Sequence, residues 1–338
     1  MATLVIATII IALLFDIVNG FHDAANSIAT VVSTRVLRPG TAVLWAAFCN
    51  FSAMLIFEPR VAETISQIVH ITPNDPLFIQ VILAGVLGAI VWDLLTWGLA
   101  LPTSSSHALI GGFAGAGLMH GGWSALYWKK LLVIFEFIFI APLIGMALAI
   151  VLMLAMFWLC RKWPQGKLNW IFRKGQLVSS TLYALGHGGN DAQKTMGLIM
   201  ALLIAAGHLA PETKLSLLNP QTLWIIVACH LAMGLGTALG GWRIMRTMGM
   251  RIAKLKPVGG FCAESAGAAT LFFATAQGIP VSTTHTIAGA ILGTGVVAHP
   301  LSHLRWGIAA RIVWSWILTI PFSAALGALF LELGNRLF

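Results

Sequence analysis

Leu101-Pro102-Thr103-Ser104-Ser105-Ser106-His107 and Ile279-Pro280-Val281-Ser282-Thr283-Thr284-His285 are two copies of one pattern, 178 residues apart. Glycines recur in register behind each histidine: Gly111, Gly115 and Gly117 in the first copy, Gly289, Gly293 and Gly295 in the second. A second pair repeats at a nearby spacing. Gly20-Phe21-His22-Asp23-Ala24-Ala25-Asn26-Ser27 is matched 168 residues later by Gly188-Gly189-Asn190-Asp191-Ala192-Gln193-Lys194-Thr195. Four stretches in this register mark an internal duplication.

The 338 residues are 58% hydrophobic and 9% charged, with mean hydropathy +0.89. A soluble domain carries roughly 25% charged residues. That deficit excludes an ordinary cytosolic enzyme, and the hydrophobicity excludes disorder. The chain is therefore expected to be an all-α, polytopic membrane protein. A net charge of +9 then reflects loop residues that set orientation, rather than a nucleic-acid footprint. Cys49, Cys160, Cys229 and Cys262 form no C-x-x-C pair and serve as small apolar residues. The first apolar run holds Asp16 and Asp23 and no small-residue cleavage site, so it is not expected to be a signal peptide.

Ten apolar runs give ten expected crossings. Runs 2–34 and 177–209 are too long and are interrupted by the acidic motifs; runs 107–119 and 284–298 are short and follow the Ser/Thr motifs. With ten crossings, thirteen Lys and Arg fall on one side and five on the other. The positive-inside rule places the thirteen in the cytoplasm and both termini outside. Five crossings per half force the halves into opposite orientation. The expected plan is an inverted repeat over 1–160, a basic cytoplasmic linker over 161–176 and a second inverted repeat over 177–338. Inverted repeats with broken helices and short half-helices are the architecture of secondary transporters, whose sites lie near the midplane.

A carboxylate in the middle of a span costs about 2.5 kcal/mol or more. Asp23 and Asp191 must therefore be paired, protonated or bound to a cation. Asn26 and Asn190 add amide oxygens, and flanking glycines are expected to unwind the backbone and offer carbonyls. That oxygen set suits sodium, and the same carboxylates could take a proton. Glu264 is a further cation or proton candidate; its repeat position is Val86. Asp16 is placed in support, with His22 beside Asp23. Lys194, three residues after Asp191, either neutralises it or meets an anion. Asp93, Glu136 and Arg311 are assigned to interhelical bonds or an interface.

In the Ser/Thr motifs, proline ends one helix and Ser or Thr caps the next. A helix N-terminus offers free N–H groups and the positive end of a dipole. Ser104, Ser105, Ser106, Ser282, Thr283 and Thr284 add hydroxyl donors. Two such ends make an anion site without a permanent full charge. His107 and His285 either line it or bond backbone.

These stretches, with Gly186-His187 leading the second acidic motif, resemble the inorganic phosphate transporter (PiT) family over essentially the whole chain. The resemblance implies symport of inorganic phosphate with sodium or protons. It implies cation coupling at Asp23 and Asp191, phosphate binding by the Ser/Thr motifs, and a homodimer in the lipid bilayer. The long hydrophilic central loop of larger members is missing here, and Asn50 stands where sodium-coupled relatives often carry an acid. Together with His22 and Lys194 this leans toward the bacterial, proton-coupled subgroup, in which phosphate can travel as a neutral metal–phosphate complex. No cofactor is expected, and no metal beyond sodium at Asp23 and Asp191.

Three alternatives stay open. A sulfate permease of the same build would carry another tetrahedral anion. An intramembrane hydrolase would pair Ser104 or Ser282 with His107 or His285, but inverted duplication gives a single triad and oxyanion hole no rationale. An anion channel has no need of paired buried carboxylates.

Overall fold

The computed structural model describes residues 2–70, 76–241, 244–245, 255–300 and 306–337. Eleven α-helices run through the described residues: α1 Ala2–Ser33, α2 Pro39–Ser52, α3 Arg60–Ser66, α4 Pro76–Gly98, α5 Ser105–Gly121, α6 Trp128–Leu159, α7 Gln165–Ala205, α8 Pro220–Leu239, α9 Pro257–Ala276, α10 Thr283–Ala298 and α11 Trp306–Leu337. The β-type pairing among them is an isolated bridge between Val69 and Leu126. Helices are what an apolar chain must form where no water can satisfy its backbone. Pro39, Pro220 and Pro257 open α2, α8 and α9, where a missing N–H costs nothing.

Among the described residues, five helices are long and apolar enough to cross a membrane: α1, α4, α6, α8 and α11. The pair α2 and α3, bent by 84°, would make a sixth. The expected count of ten needs α5, α7, α9 and α10 as well. At 17 and 16 residues, α5 and α10 reach about 25 Å, short of the roughly 30 Å hydrocarbon core. They are the expected short helices. α7 begins at Gln165, so most of the stretch expected as a linker, 161–176, forms its first turns. Large apolar side chains stand outward, Trp158 on α6 and Trp314 on α11 among them, as a lipid-facing surface requires. Of the basic residues used to orient the chain, Arg243, Arg246, Arg251, Lys254 and Arg305 lie outside the described residues.

Packing recurs with the halves exchanged. α5 lies along α11 and α10 along α6; α4 packs on α5 and α9 on α10; α1 meets α8, and α7 meets α2 and α3. The glycines behind each histidine permit this closeness. A Cβ on Gly115 would strike the Ala324 backbone of α11, and one on Gly293 the Met146 backbone of α6.

The acidic motifs do not unwind as expected. α1 and α7 run through them unbroken, so no carbonyls are freed there. Their glycines serve close approach instead: Gly20 abuts the α8 backbone at Met233 and Thr237, and Gly188 the α2 backbone at Asn50. The breaks come at the Ser/Thr motifs. Ala100 (φ 54°) and Pro102 separate α4 from α5; Gly278 (φ 69°) and Pro280 separate α9 from α10. Both left-handed turns occupy the same repeat position.

The acidic motifs also mark a seam between two apolar cores. Phe15 of α1 and Met196 of α7 belong to one core; Ala25 and Ala29 of α1 and Tyr183 of α7 belong to the other.

Candidate functional site

Each Ser/Thr motif starts a helix, as its sequence predicts. Ser104 Oγ accepts from the backbone N–H of His107 at 3.2 Å, and Ser282 Oγ from that of His285 at 3.2 Å. Both serines are thus engaged as caps rather than set as nucleophiles against their histidines. The two first turns face one another. Ser106 Oγ donates to Val281 O at 3.4 Å, and the rings of His107 and His285 meet edge-on with centroids 4.7 Å apart. His285 also stacks on Trp316 at 3.9 Å. Ser105 is buried and faces Asp93 of α4.

The acidic motifs reach across to these turns. Asn26 Nδ2 donates to Thr284 Oγ1 at 2.8 Å, and Thr284 Oγ1 lies 3.4 Å from each carboxylate oxygen of Asp23. In the other half, Lys194 Nζ donates to Asp191 Oδ1, to Ser106 Oγ and to Val281 O. Thr283 Oγ1 donates to Asp191 Oδ2 at 3.2 Å. The pattern is crossed: the side chain three residues after each aspartate bonds the last hydroxyl of the opposite half's motif. Tyr183 fastens the same turn by donating to Thr283 O at 2.9 Å.

Asp23, Asp191 and His187 each offer a ligand atom within 4.8 Å of the others. His187 Nε2 stands 3.2 Å from Asp191 Oδ2, and its Nδ1 3.2 Å from Asn50 Oδ1. His22 Nδ1 lies 2.8 Å from Asp23 Oδ1, and its Nε2 3.3 Å from the hydroxyls of Thr96 and Thr103. All these groups are buried. Two carboxylates and an imidazole fit a single cation or a shared proton.

The remaining sequence candidates lie around this centre. Asn190 donates to Thr275 at 2.9 Å and accepts from the N–H of Val281 at 3.3 Å; it fastens α7 to the break before α10. Glu264 accepts from Thr30 at 2.6 Å, Gln176 at 3.0 Å and Ser179 at 2.5 Å. Thr30 is seven residues past Asp23, about 10 Å along α1. Asp16 accepts from Thr195 at 2.6 Å, the same interval the other way. Asp93 is buried on α4 and meets Ser105 of α5, the interhelical contact expected of it. Glu136 and Arg311 are exposed near the starts of α6 and α11.

His187 was not among the sequence candidates. Its signal was available, since His187 and Asp191 lie four residues apart on one helix face. Thr96 and Thr103 carried no comparable signal, because neither stands out until α4 and its following break close on His22.

A cavity of about 690 Å³ opens nearby, with Glu58, Arg60, Lys130, Lys214 and Gln193 in its wall. Phe57, also in that wall, packs edge-on to Phe272 at 4.8 Å and lies against Gly189, beside Asn190.

Comparison with known proteins shows the family and the fold. The model of the phosphate transporter family matches residues 19–170 and 160–327. A probable low-affinity inorganic phosphate transporter of Rhizobium meliloti (strain 1021) is 51% identical, over 96% of this chain and 95% of its own length. One of the same description from Bacillus subtilis (strain 168) is 42% identical, over 99% and 98%. A solved structure described as the sodium-dependent phosphate transporter matches with TM-score 0.86 at 24% identity, covering 99% of this chain and 100% of that one; it shares the fold.

Proposed function

The chain belongs to the phosphate transporter family, and from that premise we propose that it imports inorganic phosphate across the cell inner membrane as a cation-coupled symporter built from two inverted repeats. The observation that carries this reading is the crossed contact of the two acidic motifs with the two Ser/Thr helix starts. An anion site made of helix N-termini and hydroxyls stands directly on the carboxylates that would bind the coupling cation. Cation binding neutralises Asp23, as Lys194 already neutralises Asp191, and lets the anion settle beside it. Ser104 to Ser106 and Ser282 to Thr284 hold phosphate; Asn26 positions Thr284.

The coupling ion is a proton or sodium. The imidazoles of His22 and His187, each against one aspartate, favour the proton, because imidazole and carboxylate exchange one readily. Asp16, Asp23 and Thr30 follow α1 at seven-residue intervals, Thr30 bonding Glu264 of α9, and the three carboxylates Asp16, Asp23 and Glu264 supply stations for the cation. The 690 Å³ cavity beside Gln193 and Phe57 serves as the entrance, and Lys130 and Lys214 in its wall draw anions to it, Arg60 being paired with Glu58. The two termini lie outside, and the protein works as a homodimer.

The test is uptake of radiolabelled phosphate into proteoliposomes under a separately imposed pH or sodium gradient, with excess sulfate as competitor. Uptake driven by the pH gradient and resistant to sulfate is the expected result. Sodium-driven uptake would reassign the aspartates as sodium ligands. Entry of labelled sulfate without phosphate would overturn the substrate. Downhill flux that no gradient can concentrate would make the protein a channel.

A further inference from the structure

Lys194 has a repeat-mate of a different kind. The offset that aligns Asp191 with Asp23 aligns Lys194 with Asn26, and the two side chains occupy equivalent places. Asn26 donates to Thr284, and Lys194 donates to Ser106, which aligns with Thr284 at the 178 offset. An ammonium has three N–H donors. Those of Lys194 go to a carboxylate oxygen, a hydroxyl and a backbone carbonyl: Asp191 Oδ1, Ser106 Oγ and Val281 O. No donor is left for a substrate anion. The acceptors are the three oxygen types that bind hard metal cations. Among the described residues, Lys194 is also the one buried Lys or Arg, while Asp16, Asp23, Asp93, Asp191 and Glu264 are all buried acids.

We infer that the Lys194 ammonium is a resident cation: it fills, by covalent attachment, a cation site in the second half that would otherwise take sodium. Lys194 is therefore a positioning and charge-balancing residue, not a phosphate ligand. The first half keeps the equivalent place open. There Asn26 Oδ1 is buried without a partner, and Asp23 and Thr284 stand beside it. Replacing Lys194 by the residue its repeat-mate carries should restore the second site. Asp191, Ser106 and Val281 O would remain, and the new amide oxygen would complete the cage. This inference deepens the symport reading and rests on it for its purpose, though not for its test.

The experiment is binding of ²²Na⁺ to purified protein in detergent, with choline chloride as the control salt, on the wild type, Lys194→Asn and the double variant Lys194→Asn/Asp191→Asn. Lys194→Asn is expected to bind one more sodium per chain than the wild type, and the double variant to lose that gain. Thermal midpoints are recorded alongside. Lys194→Asn should rise with sodium and not with choline, while the wild type responds less. A variant unfolded in choline and recovered by sodium supports the inference. One that sodium neither binds nor recovers overturns it, as does a gain in sodium that survives loss of the Asp191 carboxylate. The wild type's phosphate uptake is measured separately. Its absence would strike the symport reading and leave the sodium result standing.

Discussion

In the first half, the residue three places after the aspartate is a neutral amide, Asn26, and it makes a 2.8 Å bond to Thr284. In the second half it is an ammonium, Lys194, held by Ser106, Asp191 and Val281 O. The backbones around these two side chains are equivalent: both helices are unbroken, and each reaches over to the opposite half's capped turn. The difference teaches that a duplicated frame need not hold duplicated chemistry. Each aspartate has an imidazole and a hydroxyl beside it, but Asp191 is in addition paired for good with an ammonium inside the protein. Asymmetry also appears at Glu264, whose repeat position is Val86.

The largest expected effect separates the two aspartates. Asp191→Asn strands a buried ammonium and should cost about 3–5 kcal/mol. Asp23→Asn leaves no such charge and should cost about 1–2 kcal/mol. Both should abolish phosphate uptake. Unfolding in mixed micelles and uptake on the same preparations would show it, and equal destabilisation would erase the distinction.

The crossed hydroxyls sharpen it next. Ser106→Ala removes a partner of a charged donor, with an expected cost of about 1.5–3 kcal/mol. Thr284→Val removes the partner of a neutral amide, at about 0.5–1.5 kcal/mol. The same unfolding assay ranks them, and a reversed order would mean that Lys194 does not lean on Ser106.

Glu264→Gln turns an amide N–H toward donors that now point at a carboxylate, Thr30, Gln176 and Ser179. About 1–3 kcal/mol should be lost, with uptake reduced. Full uptake in this variant would remove Glu264 from the coupling path.

The paired turns at 100 and 278 include the smallest effect, at Ala100. Gly278→Ala puts a Cβ on a left-handed residue and close to Arg60 O, and should cost about 1–2 kcal/mol. Ala100→Gly relieves the same strain and should gain about 0.5 kcal/mol. Opposite shifts in the thermal midpoint are the check. Shifts of one sign would mean that the two turns are not equivalent.

Much of this centre was legible in the sequence because polar residues are expensive in an apolar chain. Asp23, Asp191 and the Ser/Thr motifs could be there only for cause, and their spacing placed them on corresponding elements. The capping roles of Ser104 and Ser282 also followed from local order alone, since the bond spans three residues. What was misread was the glycine. A glycine beside an aspartate fits an unwound backbone, and it equally fits a helix pressed on its neighbour. Only the positions of Met233 and Asn50 decide for the second at Gly20 and Gly188. The crossing of Asn26 to Thr284 and of Lys194 to Ser106 was hidden for a related reason. Nothing local tells which half's hydroxyl a side chain will meet.

The ammonium held by three protein oxygens has an electrical consequence. A cation that travels with substrate falls through the membrane voltage, and each such charge contributes about 2.3 kcal/mol per 100 mV. That is roughly a fortyfold concentration ratio. A charge tethered to α7 stays with the protein and contributes none of it. With one of two equivalent places filled by a side chain, each turnover draws less on the voltage and sustains a shallower gradient.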